Sequence, residues 1–258
     1  MPFTLCHPAM VIPIYRAARR ITSLAGLVIG SMAPDFVYFI PVGASGAFTH
    51  SFLGVLGYCL PAGVTVYIVY YGVLRKPVLA FLPAVFRARM PEQVEWSLRR
   101  FRTLSIVLGS LAIGASTHVF WDSFTHAETV ITSRYSFFNS TMTFAGREIP
   151  LFKILQQISS LAGFAVIAAC LSTWVGRCPP RALSPHRLSM NWRLATLGIV
   201  CATSAAGGVV GLMVRESQSV ERGFFNFVVT AMGTAAVTIL ILCIGWSISL
   251  RRNEGWKR

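Results

Sequence analysis

The chain reads as an all-α, polytopic membrane protein with five or six transmembrane helices. Three observations predict this: the scarcity of charge, the length of the apolar runs and the way basic residues sort between them. Hydrophobic residues make up 54% of the 258 and charged residues only 12%, about half of the roughly 25% typical of a soluble globular chain. Mean hydropathy is +0.62. Five apolar runs, Ser51–Leu74, Leu104–Thr125, Ile154–Val175, Leu194–Val214 and Phe224–Leu250, hold about 20 residues or more each. At about 1.5 Å per residue, each can cross about 30 Å of hydrocarbon.

The net charge of +14 would suit a nucleic-acid binder if it formed one patch. Instead it sorts by connection. Arg75, Lys76, Arg87, Arg89, Arg99, Arg100 and Arg102 fill one loop, Arg177, Arg181, Arg187 and Arg193 another, and Arg251, Arg252, Lys257 and Arg258 follow the last run. The alternate connections are poorer, with Arg134, Arg147 and Lys153 in one and Arg215 and Arg222 in the other. That alternation is the positive-inside pattern, which places the C-terminus in the cytoplasm of a multi-pass protein of the cell (inner) membrane. The charge is therefore a topology signal, and the expected partners are membrane lipids and no nucleic acid. Gly26-x-x-x-Gly30 and Gly207-x-x-x-Gly211 would let helices approach closely, within the chain or in a helix-mediated homo-oligomer.

Cys6, Cys59, Cys170, Cys178, Cys201 and Cys243 form no CxxC pair and mostly lie in apolar segments, where a thiol acts as a small hydrophobe. They predict neither disulfides nor a zinc finger. The start of the chain carries no basic region before its apolar stretch, and Pro13 interrupts that stretch, so no cleavable signal peptide is expected. No repeat and no long linker divides residues 1–258, which read as a single integral membrane domain.

Two arrangements fit the N-terminal region. Either Ile21–Val42 is one span, or residues 7–33 form a short helical hairpin that turns at Arg19 and Arg20. Both put Arg16, Arg19 and Arg20 on the cytoplasmic side and bring Asp35 to the opposite end, because Pro34 disfavours helix continuation and Pro41 and Gly43 follow. The hairpin alone also returns His7 to that end. Loop 76–102, with Pro77, Pro83 and Pro91, carries the basic amphipathic stretch Glu92–Arg102, which reads as an interfacial helix.

The chemistry concentrates in residues 1–126. Asp35 and Asp122 are the chain's two aspartates, and both sit in or beside a membrane-length run. A carboxylate at the centre of a span costs about 2.5–3.5 kcal/mol, so such groups come with partners. Following the spans in order brings His50 to the outer mouth of one. His118, Asp122 and His126 fall in the outer third of the next, with Asp35 nearby. On a helix, residues four apart are neighbours, so His118 and Asp122, or Asp122 and His126, can chelate one cation. His118 and His126 stand about 12 Å apart along an ideal helix axis and cannot share one ion. This predicts a metal site of His50, His118 and Asp122, joined by Asp35 and His7, with His126 as a supporting group or a ligand to a second ion. Zinc suits the donor set, with manganese or iron as alternatives.

Plainer readings stand beside these. His118 and Asp122 could be a hydrogen-bonded pair, His7 a terminal residue, and His50 a helix-start residue beside Thr49 or Ser51. His186 reads as solvated. Trp121, Phe120 and Phe124 read as packing or interfacial aromatics, and Gln156 and Gln157 as donors to the site. No hydrolase elbow, Walker loop or dinucleotide fingerprint is present, and no residue can be assigned a catalytic role from sequence.

Pro2-Phe3-Thr4, His7-Pro8-Ala9, Gly30-Ser31-Met32-Ala33-Pro34-Asp35-Phe36, His50-Ser51 and the His118–His126 run with Trp121-Asp122 carry a family likeness. Through them the chain resembles an uncharacterised bacterial membrane family, domain of unknown function 4184. More loosely it is similar to the YdjM-like membrane-bound metal-dependent hydrolases. That likeness implies His7, Asp35, His50, His118 and Asp122 as ligands. It departs at Phe36, since the YdjM-like pattern has a second aspartate one residue beyond the Pro-Asp. The chain also lacks a His-x-x-x-Glu pair, so one or two ions are implied rather than three. The expected activity is hydrolysis of a phosphoester or ester, lipid-like because the site borders the bilayer. The alternatives are an ion or proton-relay transporter or a structural membrane component.

Overall fold

The computed structural model describes residues 3–39, 43–90, 100–144, 146–181, 189–215 and 219–255. The chain is helical almost throughout. Five helices among the described residues are long and apolar enough to cross a membrane: Phe52–Phe81, Phe101–Arg134, Leu151–Arg177, Met190–Val214 and Val220–Ser249. They correspond one to one with the apolar runs, so five of the expected five or six spans are present.

The chain falls into two compact units. The first takes residues 1–37, 43–67 and 96–177 and contains every aspartate and four of the five histidines. Helices α1 (Pro8–Ala18) and α2 (Leu24–Gly30) form a hairpin that turns at Arg19 and Arg20. Helix α3 (Phe52–Phe81) passes from this unit into the second. Helix α4 (Phe101–Thr125) ends in a short turn, α5 (Val130–Arg134). A two-stranded hairpin, β1 (Thr141–Phe144) with β2 (Arg147–Pro150), leads directly into α6 (Leu151–Arg177).

The N-terminal alternatives resolve in favour of the hairpin. The single span Ile21–Val42 does not form, because the helix stops at Gly30 and gives way to a tight turn at Ala33–Asp35. The side chain of Ser23 caps α2 by accepting from the Gly26 N–H, while its own N–H donates to Ser110 Oγ at 2.8 Å. The hairpin therefore turns beside the middle of α4. With 11 and 7 residues, its helices rise only about 16 and 10 Å, too short to span.

What holds α2 on α4 is backbone contact. A Cβ on Gly30 would overlap the carbonyl of Leu111, and one on Gly114 would overlap that of Leu27. Glycine at both positions lets the two helices meet without side chains between them. The apolar centre beside this contact is formed by Ala33, Val55, Cys59 and Ala115, with Phe36, Tyr58 and Val119 packed against it.

Helix α3 runs past the expected end at Leu74. Wide π-helical turns occupy Val55–Cys59 and Tyr70–Leu74, and Pro77 is carried in the last stretch. Proline lacks the N–H that a regular turn would use, and a π turn just before it takes up the altered spacing. The β hairpin was not anticipated: its strands are four residues each, and Gly146 makes the turn at φ +76°.

The second unit takes residues 38–42, 68–95 and 178–258. Its centre is the pair α7 (Met190–Val214) and α8 (Val220–Gly255). The Gly207-x-x-x-Gly211 motif lies against Thr234, Thr230 and Asn226 of α8, and Thr238 donates to Thr203 Oγ1 at 3.0 Å. All six cysteines are free. The expected interfacial stretch Glu92–Arg102 lies largely outside the described residues, and its last two residues open α4. His186 is also outside them.

Candidate metal centre

Local rules place each side chain of the site. Pro8 starts α1 and leaves His7 at its buried end, beneath the turn Thr4–Cys6. Pro34 ends the α2 segment and sets Asp35 in a tight turn, fully buried. Ser45 caps the turn Gly46–Thr49, and Ser51 caps α3 by accepting from the Gly54 N–H at 3.0 Å. His50 stands between these two caps. Near the end of α4, the i,i+4 rule lines up His118, Asp122 and His126.

These six residues meet. His118 Nε2 lies 3.2 Å from Asp122 Oδ2 and 3.7 Å from Asp35 Oδ1. His50 Nε2 lies 3.4 Å from each of the same two oxygens and 3.2 Å from His118 Nε2. His7 stacks on His118 with ring centres 3.7 Å apart, and its Nε2 is 3.6 Å from Asp122 Oδ1. Two overlapping sets have ligand atoms close enough to hold one ion: His7, Asp35 and His118, and His50, His118 and Asp122. The buried His and Asp groups could hold a metal ion.

His126 stands apart from both sets. It is the residue that ends α4, in extended conformation, so its ring folds back. Its Nδ1 sits 3.6 Å from Asp122 Oδ2 and 3.2 Å from the Asp122 carbonyl, and its Nε2 is 3.4 Å from Gln156 Nε2 on α6. The anticipated Gln156 contact is thus present, through His126.

The distances fit a small dication. Zinc bound to nitrogen and oxygen at about 2.0–2.1 Å in a tetrahedron sets ligand–ligand edges of about 3.3–3.4 Å. Within the set His50, His118 and Asp122 the three separations between ligand atoms are 3.2, 3.4 and 3.2 Å. Both ring nitrogens of His7, Asp35 Oδ1 and Asp122 Oδ1 are buried without a hydrogen-bond partner. Buried polar atoms are rarely left so, and an ion or water held among them would satisfy them.

The electrostatics carry the same demand. Burial raises the Asp35 carboxyl, yet the positive charge of His118 and of His50 beside it outweighs burial and holds the group below the usual carboxylate range. Burial would likewise lower His50, but Asp122 and Asp35 lift it to about 10. His7, where burial and the charge of His118 prevail over the carboxylates, falls to about 3 and stays neutral. Two buried carboxylates thus call for positive charge beside them.

Supporting partners were the part that sequence reasoning missed. Thr4 Oγ1 donates to Asp35 Oδ2 at 2.7 Å, in full burial; its only sequence signal was its place in the Pro2-Phe3-Thr4 motif. His118 Nδ1 donates to the Ser31 carbonyl at 2.7 Å, and His50 Nδ1 to the Gly46 carbonyl at 2.9 Å. A ring nitrogen facing a carbonyl must carry the proton, which fixes the tautomer and, in the neutral ring, leaves Nε2 bare. Such supports tune ligand affinity by about 10–100-fold. Thr4→Val should weaken metal retention by about that factor with the fold intact, as read by competition with a fluorescent chelator. Unchanged affinity would mean that Asp35 is not a ligand.

The fold and the site together define a class: a multi-pass helical membrane protein with a buried His/Asp constellation on its N-terminal half. Within that class the chain belongs to the family described as "Domain of unknown function (DUF4184)", whose profile matches residues 1–244. No curated protein and no solved structure matches the chain. The looser likeness to the YdjM-like proteins is not shown by these comparisons.

Proposed function

We propose that the constellation holds one divalent ion, zinc or a close substitute, and that the protein uses it to hydrolyse phosphoester or ester bonds of lipid-like substrates. The observation that carries the reading is the pair of Nε2 atoms of His50 and His118, 3.2 Å apart, each ring with its Nδ1 tied to a carbonyl. With both rings neutral, two Nε2 lone pairs beside two carboxylates describe a cation site. Protonating both rings would set two like charges and two donors at that separation, at a large Coulomb cost in a buried site. One dication supplies both charges without that conflict. His118 has a single free nitrogen and can serve one ion, so the two overlapping sets converge on one centre with His50, His118, Asp122 and Asp35 as ligands.

A dication there would polarise a substrate oxygen and lower the pKa of a bound water to about 7. The chain's own residues supply the rest. His7 Nε2, buried next to Asp122 Oδ1 and held neutral, is placed to accept a hydrogen bond from that water and orient it. His126, held by Gln156, steadies Asp122. The His50 and His126 side chains, 19% and 27% exposed, form the open rim, and the other ligands close the floor. We place the C-terminus in the cytoplasm of the cell membrane on the basic-loop alternation. The centre then lies near the outer leaflet, where lipid headgroups reach it.

The test is elemental mass spectrometry on detergent-purified protein, followed by a screen against fluorogenic lipid phosphoesters. The expected result is about one equivalent of metal, lost in His118→Ala, and hydrolysis that a chelator abolishes and the ion restores. Metal without hydrolysis across the screen would make the centre structural. Absence of metal after purification and reconstitution would favour the second reading, a proton relay, for which the carboxylate–imidazole contacts of 3.2–3.7 Å are also suited.

A further inference from the structure

We infer that the β1–β2 hairpin is a membrane-interface element whose one face rests on lipid. The register pairs Met142 with Ile149 and Phe144 with Arg147, while Thr141 faces Pro150 and Thr143 faces Glu148. Side chains alternate across a strand, so Met142, Phe144, Ile149 and Arg147 share one face and Thr141, Thr143, Glu148 and Pro150 the other. The first face is apolar and ends in a cation. The second is polar and carries the acid. Met142 and Phe144 are 57% and 73% exposed, although nothing in the hairpin requires large apolar groups there.

The occupant follows from connectivity. β2 ends at Pro150 and α6, a candidate span, begins at Leu151. β1 lies 16 residues beyond the end of α4 at Thr125. The hairpin is thus tethered at both sides to membrane-length helices and stays at the level of their ends. Large apolar side chains are exposed on the neighbouring helices as well, Phe120 on α4 and Ile158 and Leu161 on α6. Exposed Tyr135 and Phe137 precede it, as aromatics do at an interface. A face with Phe and Met beside Arg147 suits acyl chains below a phosphate layer, whereas a soluble partner would not need the tether.

The two faces supply their own control. Benzoylphenylalanine is placed singly at positions 142 and 144, and separately at 141 and 143, in full-length protein reconstituted in phosphatidylethanolamine/phosphatidylglycerol vesicles. After irradiation, intact mass identifies the adduct. Lipid adducts at 142 and 144, several-fold above those at 141 and 143, are expected. Equal lipid labelling on both faces, no lipid adduct, or cross-links to a second copy at 142 and 144 would each overturn the inference. Two positions per face keep the comparison if one variant fails to fold. The readout is independent of metal content and hydrolysis.

Discussion

Asp122→Asn should purify with less than about a tenth of the metal bound by the wild type. The substitution keeps the shape of the side chain but removes the charge that balances two imidazoles. Asp122 Oδ2 touches His50, His118 and His126 at 3.2–3.6 Å, and Oδ1 lies beside His7, so its carboxylate faces four imidazoles at once. An amide cannot accept from both ends and would present N–H groups to rings that must offer lone pairs. The same loss should appear as a missing thermal shift: zinc at 100 times its dissociation constant stabilises the wild type by about 2.7 kcal/mol, and the variant should not respond. Full metal content in Asp122→Asn would remove Asp122 from the centre, and with it the proposal.

Gly114→Ala and Gly109→Ala, on the same helix, should move stability in opposite directions. A Cβ at position 114 would meet the Leu27 carbonyl and come within 2.7 Å of the Ser31 N–H, whereas one at 109 meets nothing within 4 Å. The obstacle at 114 is backbone and cannot rotate away. The substitution should cost about 1–3 kcal/mol or more through forced separation of the helices. At 109 the same change should gain up to about 1 kcal/mol of helix propensity. Thermal melts in detergent test the contrast, and equal effects would show that α2 is not seated on α4. The damage at 114 should also reach the candidate metal centre, because separating α2 draws the Ser31 carbonyl away from His118 Nδ1.

Much of this was legible in the sequence because the membrane punishes misplaced charge. Two aspartates beside apolar runs had to find partners, and the alternation of basic loops sent Asp35, His50 and Asp122 to one end. The spans followed from length alone, and the hairpin option from the arginines at its turn. Thr4, the Ser31 carbonyl and the Gly46 carbonyl were harder. A backbone acceptor carries no side-chain signature, and a threonine 31 residues from its carboxylate declares itself only once the hairpin closes. Gly30 was visible as half of a small-residue motif, but its partner Gly114 lies on another helix and no spacing rule links them. The β strands escaped because four residues in a loop give too few alternations to read.

The order of the candidate ligands along the chain sets a clock on biosynthesis. His7, Asp35 and His50 leave the ribosome first, and His118 and Asp122 follow nearly 70 residues after His50, a delay of about 3–14 s at 5–20 residues per second. During that interval the α1–α2 hairpin has no α4 to lean on and cannot cross the bilayer by itself. On the reading proposed above, a metal centre can be completed only after His118 and Asp122 have been made, which puts loading late in the life of the nascent chain.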